Sequence, residues 1–484
     1  MMIMKNKLKV IVSVFCALCL TFGLTACRQQ EEVISEYYSI WVDDENDNAS
    51  NVNAENSDVS KDTNLNNNAS KNNASKNNNN KNNTNNEEDV LEQIIASIPK
   101  NLRGSTVEIF TYIDMKQIEG LNKIVSNFKK SSGITVKWTA VGYNDYDTLL
   151  NSRMAAGNPP DIVQNNQVVL SRMKHYQPVD GIGYNFADSV WDSQTMKAYT
   201  VKGKAYAVML NHKNTLFQQP QVIFYNKNLI SKYDFSDPYK LWKQGKWDMN
   251  TMLDMCKSFK NETGKAAWSI GSPWEWIRWN KMGGPFGFDG TTVTNNLKNQ
   301  SLITAYQQLC DYKTSGYLSE TNLDVGSFNK GELLFVGYNM ANDRTANSTF
   351  SDMKSTGALG IVPLPIGNNT VIGEYESYSF PKGAKNVAAA PYFLRYYLDK
   401  NNYNENTFFA SKNAIEIYEW CMQQNRIGNT INLMGNSGSG TKVEQLGSKV
   451  WTATSATVST EIARSASELD AEAKKLNNII GDFS

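Results

Sequence analysis

The sequence predicts an α/β protein built from doubly wound sheets, and two observations lead there. Between Val107 and Val163 the apolar pattern switches from a period of two to a helical period and back, in the order strand, helix, strand, helix, strand. The chain is also 484 residues long, more than one ordinary domain, so two lobes fit.

Each element has its own signal. Val107, Ile109 and Thr111 alternate with Glu108, Phe110 and Tyr112, as on a pleated strand. Asp114 with Gln117 makes a capping-box-like helix start, and Ile118, Leu121, Ile124, Val125 and Phe128 then share one helical face that Gly133 ends. Ile134, Val136, Trp138 and Ala140 alternate again. Tyr146, Leu149, Leu150 and Met154 form a second stripe, stopped by Gly157 and Pro159-Pro160, and Asp161-Ile162-Val163 opens the next strand. In such a fold ligands sit beyond the carboxyl ends of the strands. Gln164-Asn165-Asn166-Gln167 lies there, so Gln164 and Asn165 are candidate ligand contacts, with Tyr112 at the end of the first strand; a solvated loop is the competing account of the polar run.

The chain's beginning is of a different kind. Lys5, Lys7 and Lys9 precede an apolar run from Val10 to Leu24 that is short for a membrane span, the shape of a secretory signal over residues 1–26. Leu24-Thr25-Ala26-Cys27 resembles a bacterial lipobox, which implies a lipid on Cys27 as the mature N-terminus. Residues 27–100 read as a tether, because Asn, Ser, Lys and Asp dominate from Asp43 to Asn86 and cannot offset their ordering entropy by burial. A flexible coil of about seventy residues reaches about 40–50 Å.

The run Ala155-Ala156-Gly157-Asn158-Pro159-Pro160-Asp161-Ile162-Val163, about fifty residues after Phe110-Thr111-Tyr112, resembles the extracellular solute-binding proteins of bacterial ABC importers, nearest the maltose-binding-protein-like family 1. That resemblance implies a two-lobed periplasmic-binding-protein fold of type II with three crossovers between lobes. The solute-binding part would span 101–484, with lobe 1 about 104–210 and 338–385 and lobe 2 about 213–332 and 387–484. Gly203 to Val208 and Val222 to Leu229 resemble the first crossover strands, with Asn211 between them as a candidate contact, and Pro381 to Asn386 resembles the third crossover. Ser272-Pro273-Trp274-Glu275-Trp276 before Gly283-Gly284 resembles the aromatic segment that gives the family's sugar binders a stacking surface, which implies Trp274 and Trp276 as ligand contacts; core packing is the alternative. The resemblance likewise implies Tyr338, in the loop through Arg344, and Trp451, which opens the last helical stretch with its seam Ala463, Ala466, Leu469, Ala473, Leu476 and Ile480. In a strand, Glu374 and Glu376 share one face and could accept hydroxyl hydrogen bonds together, or simply be exposed edge residues.

Composition narrows the function. Net charge is +0, which gives no basis for a nucleic-acid partner. Only His175 and His212 are present, and neither stands in a triad or zinc motif, so no metal or cofactor is expected. Cys256, Cys310 and Cys421 are read as buried free thiols. With these classes set aside, what the resemblance implies is a monomeric, non-enzymatic receptor, held on the membrane through Cys27, that gives a carbohydrate to the transmembrane subunits of an ABC permease. The alternatives are the same role for a peptide or other small polar solute, or a surface glycosidase using Glu374 and Glu376, whose carboxylates side by side do not suit attack across a scissile bond.

Overall fold

The computed structural model describes residues 39–40, 90–118, 120–165, 170–367, 370–374, 376–428 and 439–483. The signal segment, Cys27, the Asn-rich stretch from Asp43 to Asn86, Asn166 and Gln167 lie outside the described residues, as does the side chain of Glu374. Two sheets organise the rest. In the first, strand Thr106–Thr111 lies between parallel neighbours Thr135–Ala140 and Ile162–Gln164; Tyr378–Ser379 adds antiparallel to Ile162–Gln164, and Ser39–Ile40 to the opposite edge. Parallel central strands are covered on both faces, which is why Val107, Ile109, Val136, Ile162 and Val163 are all buried.

The expected helix start at Asp114 is present, with both halves of the capping box formed, yet it opens only the short 3-10 turn Met115–Gln117. Gly120, at φ 74°, interrupts the chain before the helix proper begins at Leu121, and Gly133 ends that helix at φ 75°. Leu121, Ile124, Val125 and Phe128 are its buried face, as their spacing predicts.

The second sheet is built around the eight-residue strand Gln219–Asn226. Phe335–Asn339 runs antiparallel on one side of it; Leu359–Pro363 and then Thr370–Glu374 share the other. Trp268–Ser269 and Asn425–Gly428 complete the sheet through parallel pairings. Helices Met249–Thr263, Pro273–Trp279, Gln300–Thr314, Ser439–Thr452 and Val458–Gly481 belong to this lobe. The last helical stretch is thus two helices, with Trp451 near the end of the first; the final seam begins at Val458 and passes through Ile462, while Ala463 is exposed.

Several boundaries differ from expectation. Helical residues 90–96 pack onto the first lobe with Ile94 and Ile98 buried, so the folded body takes in the last part of the expected tether. Leu359–Pro363 and Thr370–Glu374 are in the second sheet, not in lobe 1. Conversely, helix Ala390–Tyr397 packs on the first lobe: Phe393 and Tyr396 meet Phe128 at 5.3 and 5.1 Å between ring centroids, and Tyr397 meets Trp138 at 5.3 Å. The third passage to the second lobe therefore comes after this aromatic cluster and before helix Lys412–Gln423, whose Glu416 and Trp420 meet Tyr239 and Trp242 of helix Pro238–Lys243, rather than at Pro381 to Asn386. Lys204–Ala205 closes a hairpin with Thr200–Val201 and is not itself a crossover strand.

Candidate ligand cleft

The carboxyl ends of the first sheet's parallel strands carry a tyrosine cluster. Tyr112 follows strand Thr106–Thr111, Tyr143 follows Thr135–Ala140, and Tyr146 begins the next helix. Tyr112 meets both others edge to face, at 5.6 Å from Tyr143 and 5.7 Å from Tyr146. The three are not equivalent. Tyr146 is fully buried and its hydroxyl donates to the carbonyl of Gln164, whereas Tyr143 is 57% exposed, a large apolar ring left facing solvent. Burial pushes the Tyr146 hydroxyl well above its ordinary range, so it remains a donor at neutral pH.

The second lobe presents the carboxyl ends of Trp268–Ser269 and Phe335–Asn339, which run parallel. The second of these strands ends in the pair Tyr338 and Asn339, and helix Pro273–Trp279 follows the first with Trp274 in its opening turn; Trp274, Tyr338 and Asn339 are partly exposed. Trp274 packs edge to face on Tyr306 at 5.9 Å and lies over Gly447, where a Cβ would approach its Nε1 to 3.3 Å. Asn211 caps the turn His212–Asn214 through its side chain, in the first passage between lobes.

The other indoles go elsewhere. Trp276 is only 3% exposed; its Nε1 donates to the Ala305 carbonyl at 2.7 Å, and it packs among Trp268, Trp279 and Tyr312. This corrects its expected role as a stacking wall: on a seven-residue helix, three indoles at spacings of two and three cannot all face one way, and this one faces the core. Trp451 donates from Nε1 to the Glu320 carbonyl at 2.7 Å, with Lys313 Nζ 6.0 Å from its ring, so it braces the end of helix Gln300–Thr314.

The polar candidates are also largely internal. Gln164 is 1% exposed, accepts from the Thr111 hydroxyl and donates to Glu376 Oε1 at 2.9 Å. Asn165 spends its amide hydrogens on the hydroxyls of Ser377 and Ser379, at 3.1 and 2.9 Å. Glu376, whose side chain has 0% exposure, also takes Tyr378 OH at 3.0 Å and Gln219 Nε2, and lies 3.7 Å from Arg344 Nη2. The expectation that Glu374 and Glu376 share a strand face is corrected, because the strand ends at Glu374 and the chain enters the first sheet at Tyr378. Gln164, Asn165 and Glu376 are thus a buried joint whose hydrogen-bonding groups are taken up within the protein, in place of the ligand contacts expected of them. Sequence reasoning missed Tyr143, although its place after a parallel strand is the signal that selected Tyr112.

The described residues include no group of His, Cys, Asp or Glu placed to hold a metal ion and no helix long and apolar enough to cross a membrane. Cys256, Cys310 and Cys421 are free and buried, and burial pushes each thiol up from its ordinary range.

Solved structures share this arrangement of two lobes. The galacto-N-biose/lacto-N-biose I-binding protein of a Bifidobacterium longum ABC transporter is 17% identical, with a TM-score of 0.58 over 77% of this chain and 97% of its own. The GacH receptor of Streptomyces glaucescens, solved unliganded and with acarbose, is 15% identical, with a TM-score of 0.57 over 76% and 98%. Maltose-bound MalE3 of T. maritima is 15% identical, with a TM-score of 0.54 over 75% and 100%. At these identities the likeness establishes the fold, a two-lobed periplasmic-binding-protein fold of type II. No curated protein matches the sequence. The family described as bacterial extracellular solute-binding protein matches residues 123–410, more than half of the chain and strands of both sheets, and the chain belongs to that family.

Proposed function

We propose that this solute-binding protein captures a sugar or oligosaccharide between its lobes and delivers it to the transmembrane subunits of an ABC importer, without altering it. The observation that carries this reading is the Tyr112 and Tyr143 pair at the carboxyl ends of the first sheet's strands, with Tyr143 exposed. A pyranose offers an apolar C–H face and a hydroxyl rim, and an exposed phenol meets both needs. Trp274, Tyr338 and Asn211 are the contacts proposed from the second lobe and the passage between lobes. The fold relatives named above are described with acarbose, lacto-N-biose and maltose, which points to the same ligand class here.

Ligand contacts from both lobes are completed together only when the lobes approach, so the guest shifts a hinge equilibrium rather than reacting. A lipid on Cys27 would hold the monomeric receptor at the outer face of the membrane. Calorimetry with maltotriose, lacto-N-biose, a xylo-oligosaccharide and a tripeptide tests the ligand class, and chromatography of the recovered sugar tests for catalysis. Heat with at least one sugar, none with the tripeptide and intact sugar afterwards are expected. Heat with the tripeptide alone would replace the carbohydrate, and cleaved sugar would replace the receptor by an enzyme.

A further inference from the structure

Glu376 stands where the two sheets exchange the chain. Glu374 pairs with Gln219 in the second sheet, and Tyr378 pairs with Gln164 in the first, so the chain changes sheet between Glu374 and Tyr378. The two carboxylate oxygens divide their partners between the lobes. Oε1 accepts from Gln164 Nε2 at 2.9 Å and from Tyr378 OH at 3.0 Å, both on the first sheet. Oε2 accepts from Gln219 Nε2, on the central strand of the second sheet, and faces at 3.7 Å the Nη2 of Arg344, whose guanidinium rests on Phe217 beside the first lobe's Tyr397. A carboxylate is acceptor-only, so a single side chain can serve donors on both sides, and charge-assisted bonds of this kind are the stronger ones.

The partners of Glu376 are committed in turn. Arg344 lies over Phe217 and Phe408, 4.8 and 5.3 Å from the ring centroids, and donates to the Phe217 carbonyl at 3.2 Å. Gln164 Oε1 takes the Thr111 hydroxyl, whose oxygen accepts from Ile113 N at 2.9 Å, while the Gln164 carbonyl takes Tyr146 OH. Tyr146 touches Tyr112, and Tyr112 touches Tyr143. A contiguous set of ring contacts and hydrogen bonds therefore runs from the exposed Tyr143 to the central strand of the second sheet.

We propose that Glu376 is a positioning residue for ligand capture: its two oxygens fix the first sheet against the crossing strand and so set the resting angle of the lobes, without contact with the guest. This rests on the reading of the protein as a two-lobed receptor. Glu376→Gln keeps one acceptor oxygen and replaces the other by an amide nitrogen, so in either orientation the donors of one lobe lose their acceptor. Gln219→Ala removes only the crossing-strand contact and leaves Arg344 its counter-charge. Glu376→Gln combined with Gln219→Glu returns a carboxylate to the same joint one residue away, where the new amide can donate to it.

The test measures the lobe-to-lobe distance by energy transfer between dyes on unnatural amino acids at exposed positions 123 and 262, in the full chain without ligand. The expected result is a shifted and broadened distance distribution in Glu376→Gln and Gln219→Ala, restored in the double variant. Affinity for whichever sugar of the panel binds the native protein should fall about tenfold in the two single variants. Unchanged distance distributions in both single variants, whatever their thermal stability, would overturn the proposal. So would a double variant no closer to the native distribution than Glu376→Gln alone. If no sugar binds the native protein, the carbohydrate reading fails by itself, and the ligand-free distances still decide the role of Glu376.

Discussion

Trp276→Phe and Tyr143→Ala should have opposite consequences, because one ring is interior and the other is exposed. Replacing the Trp276 indole by phenyl removes the bond from Nε1 to the Ala305 carbonyl, 2.7 Å long and out of solvent. Ala305 lies inside helix Gln300–Thr314, where its carbonyl keeps a helical partner, so the loss is near the ordinary net value of about 1 kcal/mol. The smaller ring also leaves a void among Trp268, Trp279 and Tyr312, at a further cost of about 1–2 kcal/mol. Urea unfolding followed by circular dichroism should show Trp276→Phe destabilised by about 2–3 kcal/mol, with ligand affinity unchanged within a factor of about two. Tyr143→Ala removes a ring that is 57% exposed and should change stability by only about 0.5 kcal/mol. Its affinity for the bound sugar should fall by about fivefold or more, the loss of roughly 1 kcal/mol of stacking. A Trp276→Phe protein of native stability but weakened binding would refute the assignment of that indole to the core, and native affinity in Tyr143→Ala would remove the wall from the cleft.

Gly337→Ala would place a methyl 2.5 Å from Cζ2 of Trp279, a ring held by its bond to Gln221 at 3.0 Å and by stacking on Trp268; the variant should lose about 1–3 kcal/mol in the same urea assay. Burial raises Asp343 from 3.8 to about 7, so between these values the folded chain holds a proton that the unfolded chain has released, and stability falls as pH rises from about 4 to about 7. Lys354 is lowered from 10.5 to about 8 by the same cause, so stability recovers above pH 8, and thermal scans across pH should show a minimum between about 7 and 8. Asp343→Asn keeps an acceptor for the amide of Ala410 and should flatten the acid side of that profile by on the order of 4 kcal/mol.

The first lobe was legible because its signals are local. Val107 to Val163 gave three strands and two helices from periodicity, and glycines 133 and 157 stop the helices at left-handed positions that other residues avoid. The assignment of later segments to lobes was not legible. Strand Leu359–Pro363 looks the same in sequence whichever sheet it joins, and helix Ala390–Tyr397 is placed by Phe128, more than 250 residues away. The site suffered from the same limit. Composition marks Trp274, Trp276 and Trp279 equally as sugar-stacking material, and only the orientation of a seven-residue helix shows that Trp276 and Trp279 turn inward. Glu376 was read as a strand residue because nothing in Gly373-Glu374-Tyr375-Glu376-Ser377-Tyr378 marks the change of sheet. Tyr143 escaped because the loop Val141-Gly142-Tyr143-Asn144-Asp145 has no period at all, so position after a strand was its sole signal.

The lengths of the crossings explain why polar groups gather at one of them. From Val208, which bridges Tyr378 of the first sheet, to Gln219 of the second, the chain has ten residues, 209–218, and can turn without forcing the sheets together. From Glu374 to Tyr378 it has three, spanning at most about 14 Å from end to end. That short link draws Gln164 of one sheet and Gln219 of the other to the same point. Donors left there unpaired and out of water would each cost about 1–3 kcal/mol. An apolar side chain in the link would leave the Gln164 and Gln219 amides in that condition and Arg344 without a nearby counter-charge, whereas a carboxylate accepts from both amides and faces the guanidinium. The buried charge is therefore a consequence of crossing between sheets in three residues, and the same shortness makes its geometry sensitive to the angle between the lobes.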